Sequence, residues 1–333
     1  MKALILAAGF GTRLSPVTDI IPKPLIPVLN RPVIEYNINF LKHYGIKDIF
    51  INLHHNGEKI EKYLGNGKKY GVRIKYMKEK DILGTGGAIG NMRGVADTPF
   101  MVINSDTIFD FDLDEMINSH DRSKSRVTLG VISSSHKDPR AVITVDENSK
   151  IVRMLDASFT KTVPEGNAIF TGVHIIDPSI LEYIPENIFT SITGYVYRRM
   201  VQHQEQINAV FVDGKWWDMG TPDDYLECNF ELIKSLPLHY FDPFEKYTLK
   251  PEVIEHETLV VMGRNVKAPA IPLKPPLIVG NGADLEKIDR AGPNLVLGEK
   301  VKIPKGADTS NAIYLDGSDG SRFLPGKKGK IYY

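Results

Sequence analysis

Two glycines, an arginine and a lysine near the amino terminus are spaced for gripping phosphate. Gly9 and Gly11 lie in Leu6-Ala7-Ala8-Gly9-Phe10-Gly11-Thr12-Arg13-Leu14, directly after a short apolar run over residues 2–7 that reads as a buried strand. Glycines at the end of such a strand let backbone N–H groups come close to phosphate oxygens. Arg13 adds a planar donor fork suited to the β and γ phosphates of a nucleotide. Lys23 stands between Pro22 and Pro24, whose restricted backbones help aim a point charge. Its natural target is an α-phosphate, where charge shifts during reaction. Leu6, Ala7, Ala8, Gly9, Gly11 and Thr12 are therefore candidate nucleotide-binding residues around the two cations. A plainer reading makes Gly9 and Gly11 a tight turn only, but it leaves Arg13 and the proline-framed Lys23 without a purpose.

Two common phosphate motifs do not fit. The dinucleotide fingerprint wants a third glycine where Leu14 stands, and the P-loop needs a Gly-Lys-Ser/Thr that is missing. Other conspicuous residues read plainly. His54 and His55 are adjacent at a strand end, face different ways and do not suggest a metal. Trp216 and Trp217 read as core and site wall, and Cys228 as a small buried hydrophobe. The formal net charge is zero, which gives no electrostatic case for nucleic acid. One cysteine excludes an internal disulfide and fits a reducing cytoplasm. The apolar start stops at Gly9, too soon for a signal peptide, and no run approaches the roughly 18 apolar residues needed to span a bilayer. A cytoplasmic protein without membrane partners is expected.

The scaffold must aim these residues. At 333 residues, with 42% hydrophobic and 25% charged content, the chain suits two domains. Strands at 2–7, 46–53, 72–77 and 100–104 alternate with helices at 32–44, 57–64 and 84–92. Asn30 is read as the cap of the first of these helices and Pro32 as part of its first turn. That rhythm predicts an α/β, doubly wound, Rossmann-like sheet. Strand-like segments at 126–132, 141–145, 151–155 and 168–176 add an antiparallel portion and make the sheet mixed. A helix at 191–203, a strand at 207–212 and a helix from 222 to about 236 close a first domain over 1–236. From 237 to 333 helix signals vanish. Leu277–Ala283 and Leu295–Ala307 share a loose six-residue beat, which predicts a short left-handed β-helix. An irregular β-rich tail is the alternative.

Taken together, Leu6–Leu14, Pro16, Thr18 and Pro22-Lys23-Pro24-Leu25-Ile26-Pro27-Val28 resemble the signature of sugar-1-phosphate nucleotidyltransferases, the NDP-sugar pyrophosphorylases. The resemblance covers roughly residues 1–235. It implies a nucleotidyltransferase fold and two acidic ligands for Mg²⁺, Asp106 in Asn104-Ser105-Asp106 and Asp218 in Trp216-Trp217-Asp218-Met219-Gly220-Thr221. Arg13, Lys23, Asp106 and Asp218 would then be the catalytic set. Leu83-Gly84-Thr85-Gly86-Gly87-Ala88 is similar to mannose- and heptose-1-phosphate guanylyltransferases, which marks Gly84, Thr85 and Gly87 as nucleotide-binding and places Glu79 at the base edge. A carboxylate there suits guanine's two donors, without excluding the single donor of uracil or thymine.

On the sugar side the chain departs from the family. Asp156-Ala157 replaces the usual Glu-Lys, leaving Lys161 or Arg153 as substitutes for the phosphate-holding lysine. Phe170-Thr171-Gly172 replaces Asn-Ala-Gly, and Arg140-Ala141-Val142 replaces Tyr-Gly-Val. The expected reaction joins GTP to mannose- or manno-heptose 1-phosphate, with pyrophosphate released. Uridylyl or thymidylyl transfer to a glucose- or muramic-type sugar 1-phosphate is the alternative. A catalytically silent regulator that binds NDP-sugars is a third reading. An acyltransferase built on the β-helix fails for want of coils. Self-association through the open ends of the short β-helix is also expected.

Overall fold

Apolar runs at the expected places become strands, and the elements follow in chain order. They begin with β1 (Lys2–Leu6), α1 (Val17–Ile20), β2 (Pro27–Val28), β3 (Arg31–Pro32), α2 (Val33–His43), β4 (Asp48–Leu53), α3 (Gly57–Leu64), β5 (Arg73–Lys78) and α4 (Gly84–Gly90). Next come β6 (Phe100–Asn104), β7 (Thr107–Phe111), α5 (Asp114–Ser123), β8 (Val127–Ser133), β9 (Ile143–Val145), β10 (Ile151–Met154), β11 (Ala157–Ser158) and β12 (Ala168–Ile176). A π-helical turn, Ile192–Tyr197, runs into α6 (Arg198–Gln202), followed by β13 (Asn208–Phe211), β14 (Gly214–Asp218) and α7 (Pro222–Ser235). The last six strands are β15 (Val260–Met262), β16 (Leu277–Val279), β17 (Leu295–Leu297), β18 (Ala312–Tyr314), β19 (Phe323–Gly326) and β20 (Gly329–Tyr332). This computed structural model describes residues 1–134, 138–159, 165–235, 238–243, 260–267, 269–307 and 309–333. By contacts the chain groups into two units, residues 1–9 with 37–216, and residues 10–36 with 217–333.

The first unit is built on a mixed ten-stranded sheet in the order β11-β10-β9-β12-β6-β1-β4-β5, with β8 pairing β12 and β13. The four strands β5, β4, β1 and β6 are parallel, and β12 runs antiparallel to β6. The core joins Leu4, Phe50, Phe100 and Val102 to Val127, Leu129, Ile143 and Ile176. The chain leaves β1 for β4 and β5 on one side and returns to β6 on the other. The carboxyl end of β1 is therefore a topological switch point, where open α/β sheets bind ligands. Leu6 of β1 pairs with Asn104 of β6 at that end.

In the second unit, β2 and β3 form a two-residue hairpin whose turn, Leu29-Asn30, has positive φ at both positions (47° and 62°), as the favoured hairpin turns require. Asn30 is thus a turn residue and not the helix cap read from the sequence. Its Nδ2 donates instead to Leu297 O at 2.7 Å. The Leu29 N–H donates to Asn229 Oδ1 at 2.9 Å, and Tyr225 Oη donates to Pro27 O. These bonds explain why residues 10–36 group with the carboxyl-terminal part of the chain. The expected domain boundary at 236 and 237 lies outside the described residues.

Strands β15, β16, β17, β18 and β20 form a parallel ladder that advances 17 or 18 residues per rung. Parallel bridges Lys267↔Asp284↔Lys302 and Leu273↔Ala291 mark two further faces. Three faces per turn agree with the six-residue beat. Leu277, Val279, Leu295, Leu297, Ala312 and Tyr314 fill its interior. β19 folds back antiparallel on β20. The turn between them docks on α7, with Lys328 N donating to Asp223 Oδ1 at 3.1 Å and Lys328 Nζ paired with Glu227. No helix among the described residues is long and apolar enough to cross a membrane.

Candidate active site

In the first unit, the switch point gathers the start of the glycine loop and the Asp106 segment. Ser105 N donates to Leu6 O at 3.2 Å, and Thr107 Oγ1 to Asn104 O at 3.2 Å. Asp106 is therefore set on a turn fixed at both ends, between β6 and β7. Behind it passes β12, whose Gly172 has a φ of 83°. A Cβ there would fall 2.5 Å from Asn104 Nδ2, so a glycine at this position allows the close approach. Thr171 is fully buried. Its hydroxyl donates to Gly130 O at 2.8 Å, and its carbonyl accepts from Trp216 Nε1 at 2.8 Å. The substitution in this stretch thus serves packing, while Phe170 sits edge-on to His174.

The loop marked for the base is braced from two sides. Glu79 is 8% exposed, and both its carboxylate oxygens are engaged, Oε1 by Asn52 Nδ2 at 2.8 Å and Oε2 by Leu83 N at 3.0 Å. Asn52 Oδ1 accepts from Ala7 N at 2.7 Å. On the other side, the N–H groups of Gly86 and Gly87 donate to Thr190 O at 2.7 and 3.3 Å, and Ile192 N donates to Thr85 Oγ1 at 2.9 Å. Gly84 has a φ of 70° and lies against Thr190 O and the Phe189 ring. Sequence reasoning missed Asn52. Its signal was a lone amide in the apolar stretch Ile49–Leu53, a position that demands a partner. His54 bonds through Nδ1 to Glu79 O, and His55 contacts Asn56. Among the described residues, no three His, Cys, Asp or Glu side chains gather into a metal site.

On the sugar side, Asp156 is held by Arg198 through two hydrogen bonds of 2.6 and 2.9 Å. The guanidinium keeps the Asp156 carboxyl below the usual carboxylate range. Ala157 is buried in β11. Arg153 Nε donates to Leu155 O at 2.9 Å, Arg140 lies over the Trp216 ring at 6.0 Å, and Lys161 is outside the described residues. Arg198 is thus a cation that the sequence pattern did not single out.

In the second unit, Gly11 has a φ of 67° and packs under Thr18, whose hydroxyl donates to Gly11 O at 3.0 Å. A Cβ on Gly11 would also reach within 3.4 Å of Lys23 Cβ, so the loop and the lysine stem are in contact. Arg13 extends from a short 3₁₀ turn, Thr12–Leu14. Its guanidinium lies flat against Gly220, since a Cβ there would meet Nη1 at 2.9 Å and Cζ and Nη2 at 3.2 Å. Gly220 follows Asp218 by two residues and precedes Thr221, which caps α7 by accepting from Asp224 N at 3.2 Å. Gly11, Arg13, Lys23 and the Asp218–Thr221 segment are therefore one constellation. Trp217 is buried, and its Nε1 donates to Glu231 Oε2 at 3.0 Å.

Cys228 is fully buried, and burial pushes its thiol well above the ordinary value, with Glu231, Asp218 and Glu227 adding to the rise. A neutral, enclosed thiol reacts slowly. Native protein at pH 8 should therefore resist a thiol reagent for hours and react fully in denaturant; prompt native labelling would contradict this burial.

Comparison with known proteins identifies the family. The sequence profile described as Nucleotidyl transferase matches residues 2–235. The UTP–glucose-1-phosphate uridylyltransferase of Synechocystis is 29% identical, over 98% of this chain and 85% of that protein. The mannose-1-phosphate guanyltransferase of Hypocrea jecorina is 33% identical, over 71% of this chain and 65% of that protein, so the chain spans just under two thirds of that relative. Among solved structures, a Bacillus anthracis protein provisionally named a glucose-1-phosphate thymidylyltransferase, in complex with sucrose, matches with a TM-score of 0.62 and 25% identity. That match covers 73% of this chain and 98% of the other.

Proposed function

This chain belongs to the nucleotidyl transferase family, and from that premise we propose that it joins a nucleoside triphosphate to a sugar 1-phosphate, giving an NDP-sugar and pyrophosphate. The observation that carries the reading is the grouping of Gly11, Lys23 and Arg13 with Gly220, two residues beyond Asp218. Backbone N–H groups of Gly9–Thr12 and the Arg13 fork hold the β and γ phosphates, and Lys23 stabilises charge at the α-phosphate. An oxygen of the sugar phosphate attacks the α-phosphorus, and the bond to the β-phosphate oxygen breaks in line. That nucleophile is already ionised near neutral pH, so no general base is required, and catalysis is mostly positioning and electrostatics.

Asp106 and Asp218 are proposed as ligands of a divalent ion, with Mg²⁺ the fitting choice. Two hard carboxylates without His or Cys suit Mg²⁺, which completes its shell with phosphate oxygens and waters. Such an ion supplies charge neutralisation at the α-phosphate and orientation of the displacement. The profile ends at 235, which supports 1–236 as the catalytic domain; 237–333 is proposed as a Pro/Gly-rich domain that contains a short left-handed β-helix, built on the parallel ladder.

For substrates we favour GTP with mannose- or manno-heptose 1-phosphate, supported by Leu83–Ala88 and by the guanyltransferase relative. Uridylyl or thymidylyl transfer to a glucose- or muramic-type sugar 1-phosphate is the second reading. The engagement of Glu79 by Asn52 and Leu83 favours it, as does similarity along 98% of the chain to a uridylyltransferase. Pyrophosphate release with Mg²⁺, over four NTPs and mannose, heptose, glucose, N-acetylglucosamine and N-acetylmuramic acid 1-phosphates, decides. One dominant pair with GTP is expected. A dominant UTP or dTTP pair establishes the second reading. Silence across the grid, with tight binding of a finished NDP-sugar, would sink the transferase proposal in favour of a binding role.

A further inference from the structure

We propose that Asn52 is a positioning residue for nucleotide binding, and that Glu79 acts through it by tying the glycine-loop start to the base loop and not by reading the base edge. The proposal rests on the nucleotidyl-transfer reading for its kinetic consequences, though the relay itself is a property of the fold. Ala7 N–H can only donate, so it fixes the Asn52 amide with Oδ1 toward Ala7 (2.7 Å) and Nδ2 toward Glu79 (2.8 Å). The Leu83 N–H likewise can only donate, to Glu79 Oε2 at 3.0 Å. Glu79 must therefore meet two donors with two acceptors, which a carboxylate does and an amide does not. Donation converges on Glu79 from both ends, from Ala7 through Asn52 on one side and from Leu83 on the other.

Position in the fold gives this relay its purpose. Ala7 is the first residue after β1, where the phosphate-gripping loop begins. Leu83 directly precedes Gly84, where α4 and the base loop begin. Asn52 is 3% exposed and Glu79 is 8% exposed, and water competes poorly for bonds so enclosed, so a mismatch there is costly. Glu79 is further pinned through its backbone, its N–H donating to Leu53 O at 2.8 Å. A shift at one loop is transmitted to the other because nothing between them is free to turn without leaving a buried donor unmet.

The test uses the polarity of the relay. Glu79→Gln leaves two donors facing one acceptor. Asn52→Asp sets two buried carboxylates face to face. The double variant restores every bond with the charge moved by one residue: Ala7 N–H and the Gln amide both donate to Asp, and the Gln oxygen accepts from Leu83 N–H. Each single variant is expected to raise the KM for the NTP by about 10–100-fold with a smaller change in kcat, and the double variant to return within about threefold of wild type. Amide hydrogen exchange at Ala7 and Leu83 should be slow in wild type and in the double variant, and fast in each single. If a single variant does not fold, the double variant alone decides. A double variant that fails to fold, or folds with KM as impaired as the singles together, overturns the proposal. So does a lasting change in preference among the four NTPs in the double variant, which is what direct base reading by Glu79 produces. A wild-type protein silent with every NTP sinks the transferase reading, and the exchange pattern still tests the relay.

Discussion

Asp106→Asn is expected to lower kcat for pyrophosphate release by about 1,000-fold or more, with the melting temperature within about 2 °C of wild type. The change keeps the size of the side chain and one acceptor oxygen but removes the charge. The turn that carries it is also held by its neighbours, with Ser105 N bonding to Leu6 O and Thr107 Oγ1 to Asn104 O. Loss of a charged ligand where phosphate charge is redistributed costs several kcal/mol in the transition state, which sets the size of the effect. On the proposed reading, Asp218→Asn should behave alike, and the double variant should be little worse than either single, since two ligands of one ion would act as a unit. A kcat within tenfold of wild type for Asp106→Asn would remove this residue from the reaction.

The chain's apolar runs made most of the first unit legible. Residues 2–7, 46–53 and 100–104 become β1, β4 and β6 because each is a short run buried on both faces, which periodicity detects well. Helix α5 went unread. Of its ten residues only Met116 and His120 are buried, too narrow a stripe to stand out from a polar loop. The helix expected over 191–203 opens instead with a π-helical turn, a local departure that no residue type signals. Asn30 misled for a different reason. Asparagine serves caps and left-handed turns equally well, and only the pairing of β2 with β3 separates the two uses. In the candidate site, Gly9, Gly11, Arg13 and Lys23 stood out in the sequence because their types are tied to phosphate chemistry. Asn52 did not, since what matters is the direction of its amide, which Ala7 and Glu79 impose from 45 and 27 residues away.

Gly220→Ala is expected to lower kcat/KM for the NTP by about 30–100-fold without loss of stability. The new methyl would lie 2.9 Å from Arg13 Nη1 and 3.2 Å from Cζ and Nη2. The guanidinium, as the end of an exposed and flexible side chain, gives way before the backbone does. Displacement by an ångström from a phosphate is enough for losses of this order. In an Arg13→Ala background the same change should do almost nothing, because the group it displaces is gone. A double-mutant cycle on kcat/KM checks this directly. Full additivity of the two changes would show that Gly220 acts on something other than Arg13.

The hydrogen bonds from Leu29 to Asn229 and from Asn30 to Leu297 span 200 and 267 positions of the chain. Such closures raise the contact order of the second unit, and search time grows with the separation that must be closed. On the ribosome, residues 27–32 emerge well before Asn229 and Leu297. The hairpin of β2 and β3 therefore gains this bracing late, after α7 and β17 have been synthesised.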